Sequence, residues 1–204
     1  MQTGDYILSK ATDLMTRRGV TSVTMDMIAS SCGISKRTLY EIYPDKRTLV
    51  SQVVHDIYQA REKHMSQILD EVPNKLEAIL RIYLDVREHV TKISEVFTND
   101  VERLYPDILS EILKREQNYT QGLTRILAQG QDEGVFRRTH NTAILAAYFT
   151  ISMRQMPQTL RLYPKGTSLS AALDGAFISF LRGVASAKGI EIIDKTFAEH
   201  NIEQ

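Results

Sequence analysis

A single cysteine, Cys32, stands in a chain of 204 residues, so an intramolecular disulfide is excluded and a reducing compartment suits the protein. Tryptophan is absent and prolines number only five, a scarcity that fits a largely helical chain. No run of about eighteen apolar residues occurs, so no membrane-spanning helix is expected. The opening stretch MQTGDYILSKATDLM lacks a basic segment leading into an apolar one, and the expectation is a cytoplasmic protein. Net charge is missing too: 25 basic and 25 acidic side chains cancel, which argues against indiscriminate coating of nucleic acid. Enzymatic signatures are likewise wanting. There is no Gly-rich phosphate loop, GxSxG or HExxH, and the histidines (His55, His64, His89, His140 and His200) are scattered. No catalytic residue, metal site or resident cofactor is expected.

What is present is helical periodicity from end to end. Ile7, Ala11, Leu14 and Met15 mark a first helix over 6–18, closed by Gly19. Thr24 offers an N-cap hydroxyl to a second over 25–32, and Gly33 ends it. Ser35 caps a third, which stops before Pro44, and a fourth opens near Asp45 and runs past Tyr58. Beyond it the spacing of Ile79, Tyr83, Val86, Val90, Ile93 and Phe97 predicts one helix over about 74–100. Pro106 restarts the chain, and a further helix over about 117–133 ends at Gly134. Two more are expected over about 142–161 and 168–187, parted by a Pro164-Lys165-Gly166 turn. The predicted fold is all-α. A three-helix helix-turn-helix domain occupies 1–48, and a larger helical domain occupies 49–204.

The chemistry concentrates between Met25 and Leu49. Two short helices can cross steeply if one contact residue is small and the turn tolerates positive φ, and Ala29 and Gly33 supply these. Ile28, Cys32, Ile34, Leu39 and Ile42 fall where side chains point into a shared core, and a small buried hydrophobe accounts for Cys32. The other face of the third helix then presents Lys36, Arg37, Thr38, Tyr40 and Glu41. Arg and Lys reach guanine acceptors or phosphates in a major groove, and Thr can meet a base edge. Four of the seven cations within the first fifty residues lie between Lys36 and Arg47, and Lys46 opens a helix whose free amides also attract phosphate.

From Gly19 through Leu49 the chain resembles the DNA-binding domain of the tetracycline-repressor (TetR/AcrR) family. The resemblance rests on Thr24, Ile28-Ala29, Cys32-Gly33-Ile34-Ser35, Thr38-Leu39-Tyr40, Tyr43, Lys46 and Leu49. Residues 130–137, GQDEGVFR, resemble a second family pattern at the end of a C-terminal helix. The resemblance implies a homodimeric repressor that leaves a palindromic double-stranded DNA operator when a small-molecule effector enters the C-terminal domain. It places Tyr40, Tyr43 and Lys46 on phosphates and Thr24 at the backbone, with Lys36, Arg37 and Thr38 facing bases. Ser35, as the cap, joins this set. Tyr43 departs from the commoner phenylalanine and keeps its packing.

In the C-terminal domain the segment SLSAALDGAFISFLRGVASA is apolar on more than one face, which marks a helix either central in its own domain or shared with a second copy. Leu169, Leu173, Ala176, Phe177 and Phe180 are its expected dimer contacts. Effector-wall candidates are Tyr83, Arg87, Phe97, Tyr119, Phe149, Met153 and Met156. Most of these need no ligand to explain them, since apolar residues at helical spacing are ordinary core. Arg87 differs, because a charge on that face needs a carboxylate from a neighbouring helix or a route to solvent. The methionines, with a kink expected at Pro157, suit an adaptable pocket. A protein partner in place of the small molecule is the competing reading of this domain.

Overall fold

In the computed structural model, residues 3–90 and 93–200 are described. Their helices are α1 (Thr3–Arg18), α2 (Met25–Cys32), α3 (Lys36–Ile42), α4 (Lys46–Glu71), α5 (Lys75–Val90), α6 (Glu95–Leu104), α7 (Pro106–Asp132), α8 (Thr142–Thr159), α9 (Leu169–Val184) and α10 (Ala187–Glu199), with a 3₁₀ turn at Leu160–Leu162. Among the described residues no strand forms beyond an isolated bridge between Phe136 and Ala185, and no helix is long and apolar enough to cross a membrane. The helices gather into two compact units. One comprises Met1–His64 with Thr91–Leu113, the other Met65–Val90 with Lys114–Gln204.

The first unit closes on Ile7, Ala11 and Met15 of α1, Ile28 and Ala29 of α2, Leu39 of α3, and Leu49, Val50, Val53 and Val54 of α4. Phe97, Val101 and Ile108 return to this core from much later in the chain. The compact unit therefore does not end at residue 48. The early turns of α4 and the whole of α6 are parts of it. The single helix expected over 74–100 is correspondingly two. α5 ends at Val90, and Ser94 caps α6 by accepting from the Phe97 amide at 3.2 Å. The Ser94 amide donates to the Thr16 carbonyl at 2.8 Å, which ties the break to α1. Apolar spacing runs through the break because both segments bury a stripe, but in different cores. Ile42 is another correction. It is 38% exposed, because α3 ends there and Leu39 fills the core position.

The second unit buries Leu76, Leu80, Leu127, Phe136, Leu181, Ile193 and Phe197. α7 is one helix from Pro106 to Asp132, longer than the expected segment over 117–133, and its residues from Lys114 on belong to this unit. At its end the chain folds back on Gly130: the Val135 amide donates to the Gly130 carbonyl at 2.9 Å. Arg137 then donates its amide to Val184, and Ser186 donates its amide to Val135, each at 2.9 Å. The Arg137 Nε also reaches the Ala185 carbonyl at 2.7 Å. This clasp ends α9 at Val184, where a helix through 187 was expected. Ser186 caps α10, accepting from the Gly189 amide at 3.2 Å.

A methyl group has no room in the clasp. A Cβ on Gly130 would lie 2.3 Å from the Phe136 ring, and one on Gly189 would lie 2.2 Å from the Val135 carbonyl oxygen. Alanine in a helix ordinarily gains about 0.5–1 kcal/mol over glycine. Overpacking a filled core costs about 1–3 kcal/mol, so the clash decides the sign. Gly130→Ala is expected to lower the unfolding free energy by about 1–2 kcal/mol in denaturant titrations. A neutral or stabilised variant would show that the turn gives way freely.

Candidate nucleic-acid interface

The turn between α2 and α3 is set by backbone conformation. Gly33 has φ 65°, and a Cβ there would meet nothing within 4 Å, so its left-handed backbone is what favours glycine. The Ile34 amide donates to the Ala29 carbonyl at 3.1 Å, completing the cap. Thr24 begins α2 by accepting from the Met27 amide at 3.2 Å, and Ser35 begins α3 by accepting from the Thr38 amide at 3.1 Å. The Ser35 and Thr38 hydroxyls share a further bond at 2.8 Å. Both hydroxyls are engaged in building the helix start as well as lying at its surface.

Leu39 is the buried residue of α3. With it inward, Lys36, Arg37, Tyr40 and Glu41 are exposed and Thr38 is half-buried. The exposed cations are not bare. Lys36 Nζ lies 2.5 Å from Asp26 Oδ2, and Arg37 Nε lies 2.9 Å from Glu41 Oε1. Sequence reasoning missed both carboxylates as partners. The i, i+4 spacing of Arg37 and Glu41 was the available signal for one, whereas Asp26 comes near only through the turn.

Tyr43 and Lys46 sit deeper than the recognition face. Tyr43 packs half-buried on the core and its hydroxyl donates to the Gly4 carbonyl at 3.4 Å. Burial and the charges of Asp5 and Asp56 push that hydroxyl's pKa up. Lys46, the first residue of α4, is half-buried, and burial lowers its pKa against the pull of Asp100. Asp100 is buried on α6, where its Oδ2 accepts the Thr21 amide at 2.6 Å and its Oδ1 faces Arg103 at 3.3 Å. Arg47, outside the predicted set, pairs with Asp107 and lies over the Tyr105 ring, 5.6 Å from its centroid. Cys32 is half-buried and packs on the first core, as its helical position predicts.

In the second unit, Tyr83, Arg87 and Phe149 of the effector candidates come together. Tyr83 stacks on Phe177 with centroids 4.0 Å apart, and Phe149 meets Phe177 edge-on at 5.9 Å and Phe180 at 4.7 Å. The Tyr83 hydroxyl donates to Asp174 at 2.5 Å, and Arg87 Nε donates to the same carboxylate at 3.0 Å. Burial and then the Asp174 bond raise the tyrosine's pKa. Asp174 is thus the partner that Arg87 required. Phe97 does not join them: it is buried in the core of the first unit, whereas Tyr83 belongs to that of the second. Tyr119 and Met153 are half-buried and Met156 is buried, while the ring of Pro157 lies outside the described residues. Of the expected dimer contacts, Leu169, Leu173, Ala176 and Phe180 are half-buried, whereas Phe177 is buried in its own unit against Tyr83.

Two family models match the chain. Residues 7–53 match bacterial regulatory proteins of the tetR family, and residues 69–158 match the tetracyclin repressor-like C-terminal domain. The chain belongs to the tetracycline-repressor family. It is 26% identical over 185 residues to an uncharacterized HTH-type transcriptional regulator of Mycobacterium tuberculosis, covering 85% of this chain and 93% of that one. It is 25% identical over 137 residues to the HTH-type transcriptional repressor KstR2 of Mycolicibacterium smegmatis, covering 65% of this chain and 67% of the repressor. A regulator from Saccharomonospora viridis, solved in complex with choline, shares the fold with a TM-score of 0.71 at 18% identity, over 90% of this chain and 97% of that one. The chain is a DNA-binding transcriptional regulator of this family, with an all-α fold and an N-terminal helix-turn-helix.

In this family member the helix-turn-helix is braced by Asp100, and the brace depends on pH. Burial alone would raise the carboxyl's pKa, but the Thr21 bonds and Arg103 outweigh it and hold it below the ordinary carboxylate range. The unfolded chain has the ordinary value, about 3.9. A depressed native pKa means that the contribution is full above that value and is lost as pH falls through the native one. Asp100→Asn is expected to lower stability by about 1–2 kcal/mol near pH 7, with the gap to the parent protein closing below about pH 4. Denaturant midpoints across pH measure it, and a gap independent of pH would show that the charge is immaterial.

Proposed function

We propose that the protein is a repressor which, as a homodimer, occupies a palindromic double-stranded DNA operator with α3 of each copy and leaves it when a small molecule binds the C-terminal domain. The observation that best supports the reading is the outward face of α3, where Lys36, Arg37 and Tyr40 stand exposed over the buried Leu39. One helix of seven residues reads too few base pairs for useful specificity. Two, related by a twofold axis, read half-sites about 34–36 Å apart. A molecule that binds better when the two heads are off the operator weakens DNA binding by the same factor, through linkage. Tyr83, Phe149 and Phe177 with the Asp174–Arg87 pair gather aromatic and fixed polar groups of the kind small-molecule sites use.

The dimer contact is assigned to α8 and α9, which pack on one another. Ile144, Tyr148 and Ile151, spaced by four and three residues on α8, are 68%, 65% and 48% exposed. On α9 the exposed residues Gly175, Ser179 and Gly183 recur every fourth position, and a Cβ on either glycine would meet nothing within 4 Å. Small residues at that spacing let a second helix approach closely, and an uncovered apolar row marks an interaction surface. Tyr148→Glu is expected to convert a dimer to a monomer in sedimentation, with helical content retained and an unfolding midpoint that no longer depends on protein concentration. A dimer that persists would place the contact elsewhere.

The DNA reading is tested by selecting duplexes from a randomised pool with the full chain. An inverted repeat is the expected product. On it, Arg37→Ala should lower affinity and relax preference at one position in each half-site. Lys46→Ala should weaken selected and random duplexes alike and reduce the slope of log affinity against log salt by about one for each lost phosphate contact. Equal loss on selected and random DNA for Arg37→Ala would reassign that residue to phosphate.

A further inference from the structure

We propose that Glu41 is a specificity-determining positioning residue: it holds the Arg37 guanidinium by Nε, so that the two terminal amino groups read a guanine, and its own charge disfavours contacts made to phosphate alone. The inference rests on the reading of α3 as the DNA-recognition helix.

The pair has little to do with stability. The Arg37 side chain is 89% exposed and that of Glu41 60%, and exposed i, i+4 pairs contribute little to folding. Its geometry has a more specific use. The bond of 2.9 Å runs from Nε to Glu41 Oε1. An arginine that reads guanine does so through a bidentate contact to O6 and N7, which the two Nη groups can make while Nε stays with the carboxylate. An exposed arginine otherwise has many rotamers to lose on binding, and a carboxylate one turn away removes part of that loss in advance.

The same carboxylate works against random sequence. With Lys36 held by Asp26 and Arg37 by Glu41, the recognition face meets a duplex with as many anions as cations. On random DNA, Arg37 must leave Glu41 for a phosphate or bring Glu41's negative charge close to one. On the matched site the guanine contact is made with the pair intact. Attraction to the backbone supplies most of non-specific binding, so a carboxylate here lowers that background more than it lowers specific affinity.

The test compares Glu41→Gln, which keeps an acceptor and loses the charge, with Glu41→Ala, which loses both. Each full-length variant is taken through the same duplex selection and through titration with selected and random DNA at several salt concentrations, after its melting curve shows it folded. Both variants should bind random DNA about two- to fivefold more tightly at low salt, an effect that salt removes. Only Glu41→Ala should lose preference at the guanine position, and Glu41→Gln should largely retain it. In the Arg37→Lys background, which has no Nε, Glu41→Ala should leave base preference unchanged. If Glu41→Ala selects the same bases with the same ratio of specific to random affinity, the proposal fails while DNA reading by α3 stands. If the parent protein enriches no sequence at all, both fail.

Discussion

Leu39 has one place to go, and the geometry of the DNA face follows from it. A helix of seven residues has too few internal hydrogen bonds to hold its own orientation in water. Its rotation about its axis is fixed by the side chain that must be buried, and in α3 that side chain is Leu39. With it packed among the core residues of α1, α2 and α4, residues 36, 37, 40 and 41 have no choice but to face solvent. Gly33 sets the direction from which α3 arrives, and Ser35 sets where it begins. The recognition surface is thus a by-product of core packing, and its charges can be changed without disturbing the fold that presents them.

Local chemistry was readable from sequence wherever a single residue type answers a single backbone need. Gly19 and Gly33 take positive φ, and Thr24 and Ser35 accept the amides that their helices leave unpaired. The burial of Leu39 followed from its position, and that of Ala29 from the small residue a steep helix crossing needs. What sequence could not show was where a continuous apolar period is cut. Residues 79–101 keep their spacing of three and four across two helices that serve different cores, and residues 168–187 hide the end of α9 in the same manner. In each case the stop is made by partners distant in sequence. Ser94 is held by Thr16, and Ala185 and Ser186 by Arg137 and Val135. Ile42 was placed inward because the period allows it, yet α3 is too short to bury a second turn.

Charge follows the same division. The pairs Arg37–Glu41 and Arg17–Asp13 are written in the i, i+4 spacing of their helices. Arg47–Asp107 and Arg87–Asp174 join residues of separate helices far apart in sequence, and nothing in either local neighbourhood announces the match. The exposed row on α8 was also invisible beforehand, because an apolar residue at helical spacing reads as core until the opposite face is known to be filled.

The return of Phe97, Val101 and Ile108 to the first core has a bearing on how the molecule comes into being. The helix-turn-helix lies near the start of the chain, but its hydrophobic interior and the Asp100 contact at Thr21 are finished by residues some eighty positions later. During synthesis that early segment must wait, its core and the Thr21 amide's bond incomplete, until α6 and the start of α7 have emerged. Closing so long a loop is a slow step relative to forming the helices themselves. The reading head is therefore closed by residues made well after its own, so its order of synthesis is not its order of assembly.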